Sequence, residues 1–179
     1  MRTAYIGMGG NLATWAGTPE STLAAAALRL ASLGRVTHRS SLYSTEPVGF
    51  AEQPRFINAV VALDTELEPQ ELLRGLLAIE QEFGRDRSEG FANGPRTLDL
   101  DILLFGDLKI DEAGLEIPHP RMAVREFALV PLNEIAPILV DPDSGQTVSQ
   151  LLENLQRKSG SRSNAVVPIQ SDVWRAGAR

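Results

Sequence analysis

The sequence predicts an α+β sandwich in a single domain. Segments with strand-like and helix-like patterns are mixed along the 179 residues without a regular βαβ alternation. That mixture favours an α+β fold over a doubly wound parallel sheet. A hydrophobic share of 43% and a charged share of 22% are ordinary for a globular protein. The length suits one hydrophobic core, and no repeat or linker divides the chain.

The first third of the chain predicts a strand, a helix and another strand. Residues 2–8 are mostly apolar and end at a Gly-Gly pair, which is typical of a short opening strand. A helix follows, with Thr18 as its N-cap and Pro19 in the first helical position. We expect Gly34 to end this helix with a positive φ angle. Residues 36–44 alternate in bulk and predict a strand.

The middle of the chain carries the clearest periodic patterns. Residues 56–67 (FINAVVALDTEL) are rich in β-branched and apolar side chains, which predicts a strand. Residues 69–83 place apolar side chains at helical spacing, so a helix is expected to begin at Pro69 and to end at Gly84. Residues 85–97 have no periodicity, and such a long irregular stretch inside a domain is usually functional.

The last part of the chain predicts a strand, a hairpin and two helical segments. Residues 98–105 (LDLDILLF) predict the strand, and a short hairpin follows it. Helical structure is expected within residues 124–137 and again over residues 147–158. We therefore expect the domain to span residues 1–158. Residues 159–179 are polar, and we expect a loosely docked or disordered C-terminal tail.

Composition excludes several classes of protein. The formal net charge of −6 argues against a nucleic-acid binder that works through general positive charge. No cysteine is present, so any metal must be held by oxygen ligands or by His38 and His119. The N-terminus lacks a signal-peptide pattern, and no apolar run is long enough to span a membrane. A cytoplasmic location without a membrane partner is expected.

Asp99 and Asp101 are the first candidates for chemistry. Residues two apart in a strand point to the same side, so these carboxylates project together, about 6 to 7 Å apart at Cα. Magnesium prefers one or two carboxylates together with water and substrate phosphates. The alternative is that both aspartates line a solvated strand face, as alternation alone would predict. Leu103 shares their side of the strand, however, so the side is not simply polar.

Three arginines strengthen the functional interpretation. Arg85, Arg87 and Arg96 lie in the irregular segment that leads directly into the Asp99 strand. Phosphoryl transfer needs cations beside the metal site. The pattern therefore predicts a magnesium-dependent enzyme that moves phosphoryl groups from ATP.

Residues 94–103 (GPRTLDLDIL) resemble the signature of the 6-hydroxymethyl-7,8-dihydropterin pyrophosphokinase family, which acts in folate biosynthesis. Further motifs similar to that family follow its order along the chain: Tyr5-Ile6, Gly9-x-Asn11-Leu12, Tyr43-x-Thr45-x-Pro47-x-Gly49, Phe56-x-Asn58, Ile79-Glu80, Gly84-Arg85, Pro118-His119-Pro120 and Arg125-x-Phe127. The chain departs from the family at Ala92, where a basic residue is expected, and at Asn93, where an aromatic residue is common.

The resemblance implies a fold, a reaction and partners. The fold is a ferredoxin-like α/β sandwich with a mainly antiparallel central sheet flanked by helices. Residues 56–67 and 98–105 would be its central strands. The reaction transfers the diphosphate of ATP to the hydroxymethyl group of the pterin and releases AMP. The implied partners are ATP, magnesium and a reduced pterin, and the family is usually monomeric.

The resemblance also assigns roles to individual residues. Asp99 and Asp101 would hold two magnesium ions, while Arg85 and Arg96 would stabilise the migrating group. The residues implied on the pterin side are Phe56 and Phe127 as a stacking pair, Asn58 as the reader of the ring edge, and Thr45, Pro47 and Val48 around them. The residues implied on the ATP side are Arg96, His119 and Arg125, with Glu80 and Arg87 as further candidates.

Two alternatives stay open at the level of sequence. One is a metal-dependent phosphohydrolase built on Asp99 and Asp101, which would have no need of Phe56, Asn58 and Phe127 together. The other is a non-catalytic ligand-binding module on a similar sandwich, in which the aspartates are merely solvated. That module would bind nucleotide without any dependence on magnesium.

Overall fold

An antiparallel sheet forms the centre of the molecule in the computed structural model, which describes residues 1–86, 88, 93–160 and 165–176. Its strands are β1 (Arg2–Gly10), β2 (Arg35–Arg39), β3 (Leu42–Thr45), β4 (Phe56–Thr65), β5 (Asp99–Phe105) and β8 (Val166–Ile169). A separate hairpin consists of β6 (Ile110–Glu112) and β7 (Leu115–Ile117). The helices are α1 (Pro19–Arg29), α2 (Pro69–Glu82), α3 (Glu126–Ile135), α4 (Val148–Ser159) and α5 (Asp172–Ala176).

The sheet has the strand order β5-β1-β4-β3-β8, and β2 pairs with β4 farther along the same edge as β3. All of these pairings are antiparallel. The chain order β1-α1-β2/β3-β4-α2-β5 follows the β-α-β-β-α-β plan of ferredoxin-like folds. The predicted fold class is therefore confirmed. Of the two strands expected to be central, β4 is central, but β5 lies at the end of the sheet.

The two faces of the sheet bury separate cores. Alternate residues of β4, including Ile57, Ala59, Val61 and Leu63, pack in one core with buried side chains of α1 and α2. Val60 points to the opposite face and packs with residues of α3 and α4. This alternation follows from the two-residue repeat of a strand. Both faces of β4 are covered, which explains why its sequence is almost continuously apolar.

The first two helices begin where the sequence predicts. Thr18 caps α1 by accepting a hydrogen bond from the backbone of Ser21, and Pro19 is the first helical residue. Helix α2 is followed by Gly84 in a left-handed conformation, with φ of 78°. Gly34 does not adopt a positive φ, so its predicted role is wrong. A Cβ at Gly34 would lie 2.3 Å from the carbonyl oxygen of Asp64, so glycine is needed there for close backbone approach.

The C-terminal segment corrects the prediction of a loosely docked or disordered tail. Residues 166–169 form β8, which pairs with β3 and extends the main sheet. Trp174 of α5 is only 5% exposed and packs in the same core as α1. Its indole Nε1 donates a hydrogen bond to the carbonyl of Ser40 at 2.8 Å. The folded unit therefore extends past residue 158, because strand pairing and an aromatic anchor hold residues 165–176.

No helix within the described residues is long and apolar enough to cross a membrane.

Candidate active site

Strand β1 provides an open floor between two rows of functional side chains. Gly9 pairs with Asp99 of β5 on one side and with Asn58 of β4 on the other. Gly7 lies in the same way between Asp101 and Val60. Directly opposed residues point to the same face, and strands lie about 4.8 Å apart, so the acidic row and Asn58 are separated by about 10 Å.

A side chain at either glycine of this floor would crowd a neighbouring side chain. A Cβ added at Gly9 would lie 2.5 Å from Asn58 Oδ1, and one at Gly7 would lie 3.3 Å from the side chain of Leu103. The Gly9-Gly10 pair, expected to end the opening strand, is part of β1 instead. The absence of side chains here leaves room for a ligand between the two rows.

A cavity of about 390 Å³ opens above the floor. It brings together most of the residues predicted for the site: Thr45, Val48, Phe56, Asn58, Arg85, Arg96, Asp99, Asp101, His119, Arg125 and Phe127. These residues come from β3, β4 and β5 with the segments that flank them, from the segment after α2, from the segment between β7 and α3, and from the first turn of α3. Residues far apart in sequence therefore converge on one cavity, as several ordered motifs in the sequence indicated.

Two arginines and a histidine lie beside the two carboxylates. Arg96 Nη1 lies 2.9 Å from Asp99 Oδ2, and Arg85 Nη2 lies 3.8 Å from Asp99 Oδ1. His119 Nε2 lies 3.9 Å from Asp101 Oδ2. Arg85 Nε is buried and has no hydrogen-bond partner among the described residues. A buried donor without a partner is costly, so this guanidinium is suited to receive an anionic ligand.

The carboxylate pair fits magnesium better than a closed metal site. Within the residues that the structure describes, no group of three or more His, Cys, Asp or Glu side chains could hold a metal. A structural zinc site would need four protein ligands. Magnesium instead takes one or two carboxylates and completes its octahedron with water and substrate phosphates. Asp99 and Asp101, on one face of β5, are a donor set of that kind.

His119 is held as a neutral hydrogen-bond donor. Burial lowers its pKa, and the nearby Arg125 and Arg121 lower it further. The backbone N–H of Arg121 donates to His119 Nδ1 at 3.1 Å, so Nδ1 is an acceptor. In a neutral imidazole the proton is then on Nε2, the nitrogen that faces Asp101. Because Nε2–H points to the acidic row, it can donate to an oxygen bound there.

Two aromatic rings line the other part of the cavity, each with an arginine above it. The guanidinium of Arg96 lies 5.5 Å from the ring centroid of Phe56, and that of Arg125 lies 5.3 Å from the ring centroid of Phe127. Both distances are in the range of cation–π contacts. Arg96 also pairs with Asp99, so it connects the acidic row with the aromatic side of the cavity.

Asn58 lies beside the rings and is oriented by a neighbour. Its side chain is 8% exposed, and its Nδ2 donates to Thr45 Oγ1 at 2.6 Å. Thr45 itself is almost completely buried. The amide group of Asn58 is thus fixed with Oδ1 near Gly9, where it can accept a hydrogen bond from a ligand.

Three predicted residues lie elsewhere. Glu80 is 1% exposed, and its Oε1 accepts a hydrogen bond from the backbone N–H of Leu100 at 2.8 Å. Because its side chain is buried against β5, Glu80 does not line the cavity, and the structure does not bring it to the predicted ATP side. Pro47 is half-buried and does not line the cavity, although Glu46 and Val48 on either side of it do. Arg87 lies outside the described residues.

Sequence reasoning missed Arg121 and Asn93, which also line the cavity. Arg121 follows the Pro-His-Pro segment directly, and its charge beside a predicted phosphate contact was the signal that could have found it. Asn93 adopts a left-handed conformation with φ of 62°, which asparagine tolerates better than most residues. Its carbonyl accepts a hydrogen bond from Gln53 Nε2 at 2.7 Å, which ties the segment before Arg96 to the loop after β3.

Comparisons with known proteins agree with this geometry. Residues 5–137 match the family model for 7,8-dihydro-6-hydroxymethylpterin-pyrophosphokinase. The chain is 47% identical over 152 residues to a 2-amino-4-hydroxy-6-hydroxymethyldihydropteridine pyrophosphokinase of Synechocystis sp., covering 85% of this chain and 75% of that one. It is 43% identical over 168 residues to the protein of the same name from Pseudomonas aeruginosa, covering 90% and 99%.

The solved structures show the fold alone. The crystal structure of wild-type Plasmodium falciparum HPPK-DHPS with pteroate matches with a TM-score of 0.72 at 16% identity, over 95% of this chain. The match covers 48% of that chain, so the present chain spans about half of its length. Because the family model covers most of the sequence and relatives exceed 40% identity, the chain belongs to the 7,8-dihydro-6-hydroxymethylpterin-pyrophosphokinase family.

Proposed function

We propose that this protein transfers the diphosphate of ATP to the hydroxymethyl group of 6-hydroxymethyl-7,8-dihydropterin and releases AMP, a step of folate biosynthesis. The observation that carries the proposal is the glycine floor of β1. It separates the Asp99–Asp101 row from Asn58 by two strand spacings. A triphosphate on the acidic side and a ring on the Asn58 side would therefore meet above Gly7 and Gly9.

Asp99 and Asp101 would hold two magnesium ions together with the phosphates of ATP. When bound, magnesium neutralises phosphate charge and can lower the pKa of the attacking hydroxyl group. The contact between Arg96 and Asp99 supports this role, because it shows that a cation is already favoured beside the carboxylate. Cation binding at Asp99 and phosphate binding at Arg96 would replace this ion pair by two separate ligand contacts.

The guanidinium groups would hold the migrating phosphoryl groups. The planar guanidinium groups of Arg85 and Arg96 present N–H donors in a geometry that suits phosphate oxygens. The buried Nε of Arg85 is a donor without a hydrogen-bond partner among the described residues. His119 would donate its Nε2–H, and Arg121 and Arg125 would add positive charge from the same side. Arg87 remains a candidate for the ATP side on sequence grounds.

The pterin would bind between Phe56 and Phe127. A flat, polar heterocycle needs aromatic faces and an amide that matches its hydrogen-bonding edge. Asn58 supplies the amide, Thr45 orients it, and Val48 contributes an exposed apolar side chain at the mouth of the cavity. Pro47 would act only through the backbone of this loop.

The reaction needs little more than placement and charge neutralisation. The pterin hydroxyl oxygen attacks the β-phosphorus, and the bond from that phosphorus to the oxygen bridging the α- and β-phosphates breaks. AMP leaves with the bridging oxygen, and the hydroxyl proton is released. Fixing both substrates above one floor removes much of the entropic cost of bringing them together.

The direct test is to incubate the protein with ATP, magnesium and 6-hydroxymethyl-7,8-dihydropterin and to separate the nucleotide products. We expect AMP to form in equal amounts with the pterin diphosphate, and only when the pterin is present. Formation of ADP would indicate a kinase instead. Release of inorganic phosphate without pterin would indicate the phosphohydrolase alternative.

A further inference from the structure

We propose that the C-terminal strap, defined as residues 165–176, positions the pterin-side residues Thr45 and Glu46. The positioning residues are Trp174 of the strap and Arg55, which contacts the strap from the residue before β4. The inference rests on the proposed function, since it concerns the pterin side of the same cavity. The strap lies beyond residue 137, where the family match ends.

One end of the strap holds the chain where β3 enters the cavity. The carbonyl of Ala165 accepts a hydrogen bond from the backbone N–H of Glu46 at 3.1 Å. Val166 pairs with Thr45 as the next residue of the antiparallel ladder. Thr45 is thus fixed on two sides, because it also pairs with Phe56 of β4.

Arg55, the residue before β4, stabilises this junction between β3 and the strap. Its Nε donates to Ser44 Oγ at 2.9 Å, and its Nη2 donates to the carbonyl of Ser44 at 3.0 Å. The same Nη2 lies 3.5 Å from the carbonyl of Ala165, and Nη1 lies 3.6 Å from Glu46 Oε1. One guanidinium therefore contacts β3, the strap and a residue that lines the cavity.

Trp174 anchors the other end of the strap. Its indole ring is buried in the core with α1, and Nε1 donates to the carbonyl of Ser40. The guanidinium of Arg39 lies 5.3 Å from the ring centroid. Because the strap is held at both ends, β8 stays paired along the outer edge of β3.

This arrangement should affect the pterin and not ATP. Thr45 accepts the hydrogen bond that orients Asn58, so movement of β3 would release the amide that reads the ring. The carboxylates lie on β5, which is separated from β3 by β1 and β4. A loop that is ordered before binding does not have to be ordered by the ligand, which improves affinity.

The test uses full-length variants and measures binding of each substrate separately. Arg55→Ala cuts the junction, and Trp174→Ala removes the anchor. We expect each to raise the Kd of the pterin about three- to tenfold, measured with magnesium and a non-hydrolysable ATP analogue present, from the usual cost of ordering a few side chains. The Kd of the analogue alone should change by less than about twofold.

Two further variants separate positioning from general loss of structure. Arg35→Ala is the matched control, because it removes another exposed arginine, paired with Asp64, that does not line the cavity. It should leave the Kd of the pterin unchanged. Trp174→Phe keeps a buried ring and should restore most of the affinity that Trp174→Ala loses. The exposed side chain of Arg55 means that Arg55→Ala tests the proposal even where Trp174→Ala folds poorly.

The outcomes distinguish the two proposals. Weaker pterin binding in Arg55→Ala, with unchanged binding of the ATP analogue, supports the positioning role. Wild-type affinity for the pterin in Arg55→Ala and in folded Trp174→Ala overturns that role and leaves the proposed function intact. A wild-type protein that binds no pterin overturns the proposed function, and the positioning role with it.

Discussion

At the scale of single residues, two glycines decide what the cavity can hold. Gly7 and Gly9 carry no side chains where β1 runs between the acidic row and Asn58. The carboxylates and arginines can therefore contact a nucleotide on one side of these glycines, while the Asn58 amide contacts a pterin on the other side. Substitution of a side chain on either side should therefore change the binding of one ligand more than that of the other.

Asp101 is predicted to be a magnesium ligand, and its removal tests that assignment. We expect Asp101→Ala to lower kcat by about two orders of magnitude or more, as loss of a group that stabilises transition-state charge usually does. The fold should be retained, since this side chain is 38% exposed. Asp107→Ala, an exposed aspartate just after β5, is the matched control. Near-normal turnover in Asp101→Ala would show that the metal assignment is wrong.

Gly9 and Asn58 should act as one unit. Gly9→Ala would place a Cβ 2.5 Å from Asn58 Oδ1 and so displace the amide. We expect pterin affinity to fall about tenfold or more, as when a buried polar partner is lost. Because Asn58→Ala removes the same amide, the double variant should bind pterin no more weakly than Asn58→Ala. Fully additive losses in this double-mutant cycle would contradict the shared mechanism.

At the scale of elements, the cavity depends on how β5 is held against the rest of the fold. Helix α2 packs beside β5, and Glu80 joins the two by accepting the backbone N–H of Leu100, between the two aspartates. Glu80 is buried on the same side of α2 as Leu76 and Ile79, which the helical spacing of residues 69–83 predicts to be apolar. Its partner was not readable, because the contact depends on how α2 packs on β5.

Removal of Glu80 should destabilise the fold. Glu80→Ala leaves a buried N–H without its acceptor, which costs about 1 to 3 kcal/mol, measured as the free energy of unfolding in urea. Glu80→Gln keeps an acceptor oxygen and should lose less. If the two variants were equally stable, loss of the hydrogen bond to the backbone N–H of Leu100 would not account for the destabilisation.

Strands β1 and β4 are also joined by a pH-dependent contact. Thr3 Oγ1 donates to Asp64 Oδ1 at 2.7 Å, and this hydrogen bond lowers the pKa of Asp64, with a smaller contribution from Arg35. A carboxyl whose pKa is lowered on folding stabilises the protein above its unfolded pKa. That stabilisation is lost as the pH falls through the lowered, folded pKa.

Thr3→Val tests this contact. The free energy of unfolding of this variant should be about 1 kcal/mol lower than that of the wild type at pH 7. This difference should shrink as the pH falls below about 4. Thr3→Ser keeps the hydroxyl group and should behave like wild type. A difference that stays constant between pH 7 and pH 3 would exclude a role for Asp64 ionisation.

Prediction from sequence succeeded for elements with strong local patterns and failed for those held by distant partners. Strand β4, helix α2 and the Asp-x-Asp strand each carry a clear periodic signal. The C-terminal strap does not: β8 has four residues, one of them a proline, within a polar stretch. Its order comes from pairing with β3 and from burial of Trp174, which a local pattern cannot report. Arg121 differs from the strap, because its position directly after the Pro-His-Pro segment was a signal in the sequence that was not used.

At the scale of the whole molecule, the charge of the protein and the charge of its cavity are opposite. The chain carries a formal net charge of −6, which repels ATP. The cavity nevertheless gathers Arg85, Arg96, Arg121 and Arg125. Such local concentration of charge attracts anionic ligands despite an unfavourable total.

Arg121 provides the test of this charge arrangement. Arg121→Ala should raise the Kd of ATP up to about fivefold at low salt, because the arginine is exposed at the cavity. The effect should fade at about 0.5 M salt, where screening is strong. Arg74→Ala makes the same change in net charge on the exposed side of α2 and should have no effect. Equal effects of the two variants would mean that only total charge matters.

A crystal structure with magnesium, a non-hydrolysable ATP analogue and the pterin would show directly whether the two substrates meet above the glycine floor. We predict magnesium coordinated by Asp99 and Asp101 together with phosphate oxygens, and the pterin between Phe56 and Phe127 with its edge on Asn58. Ligands bound away from the floor of Gly7 and Gly9, or phosphates held without either aspartate as a metal ligand, would contradict it.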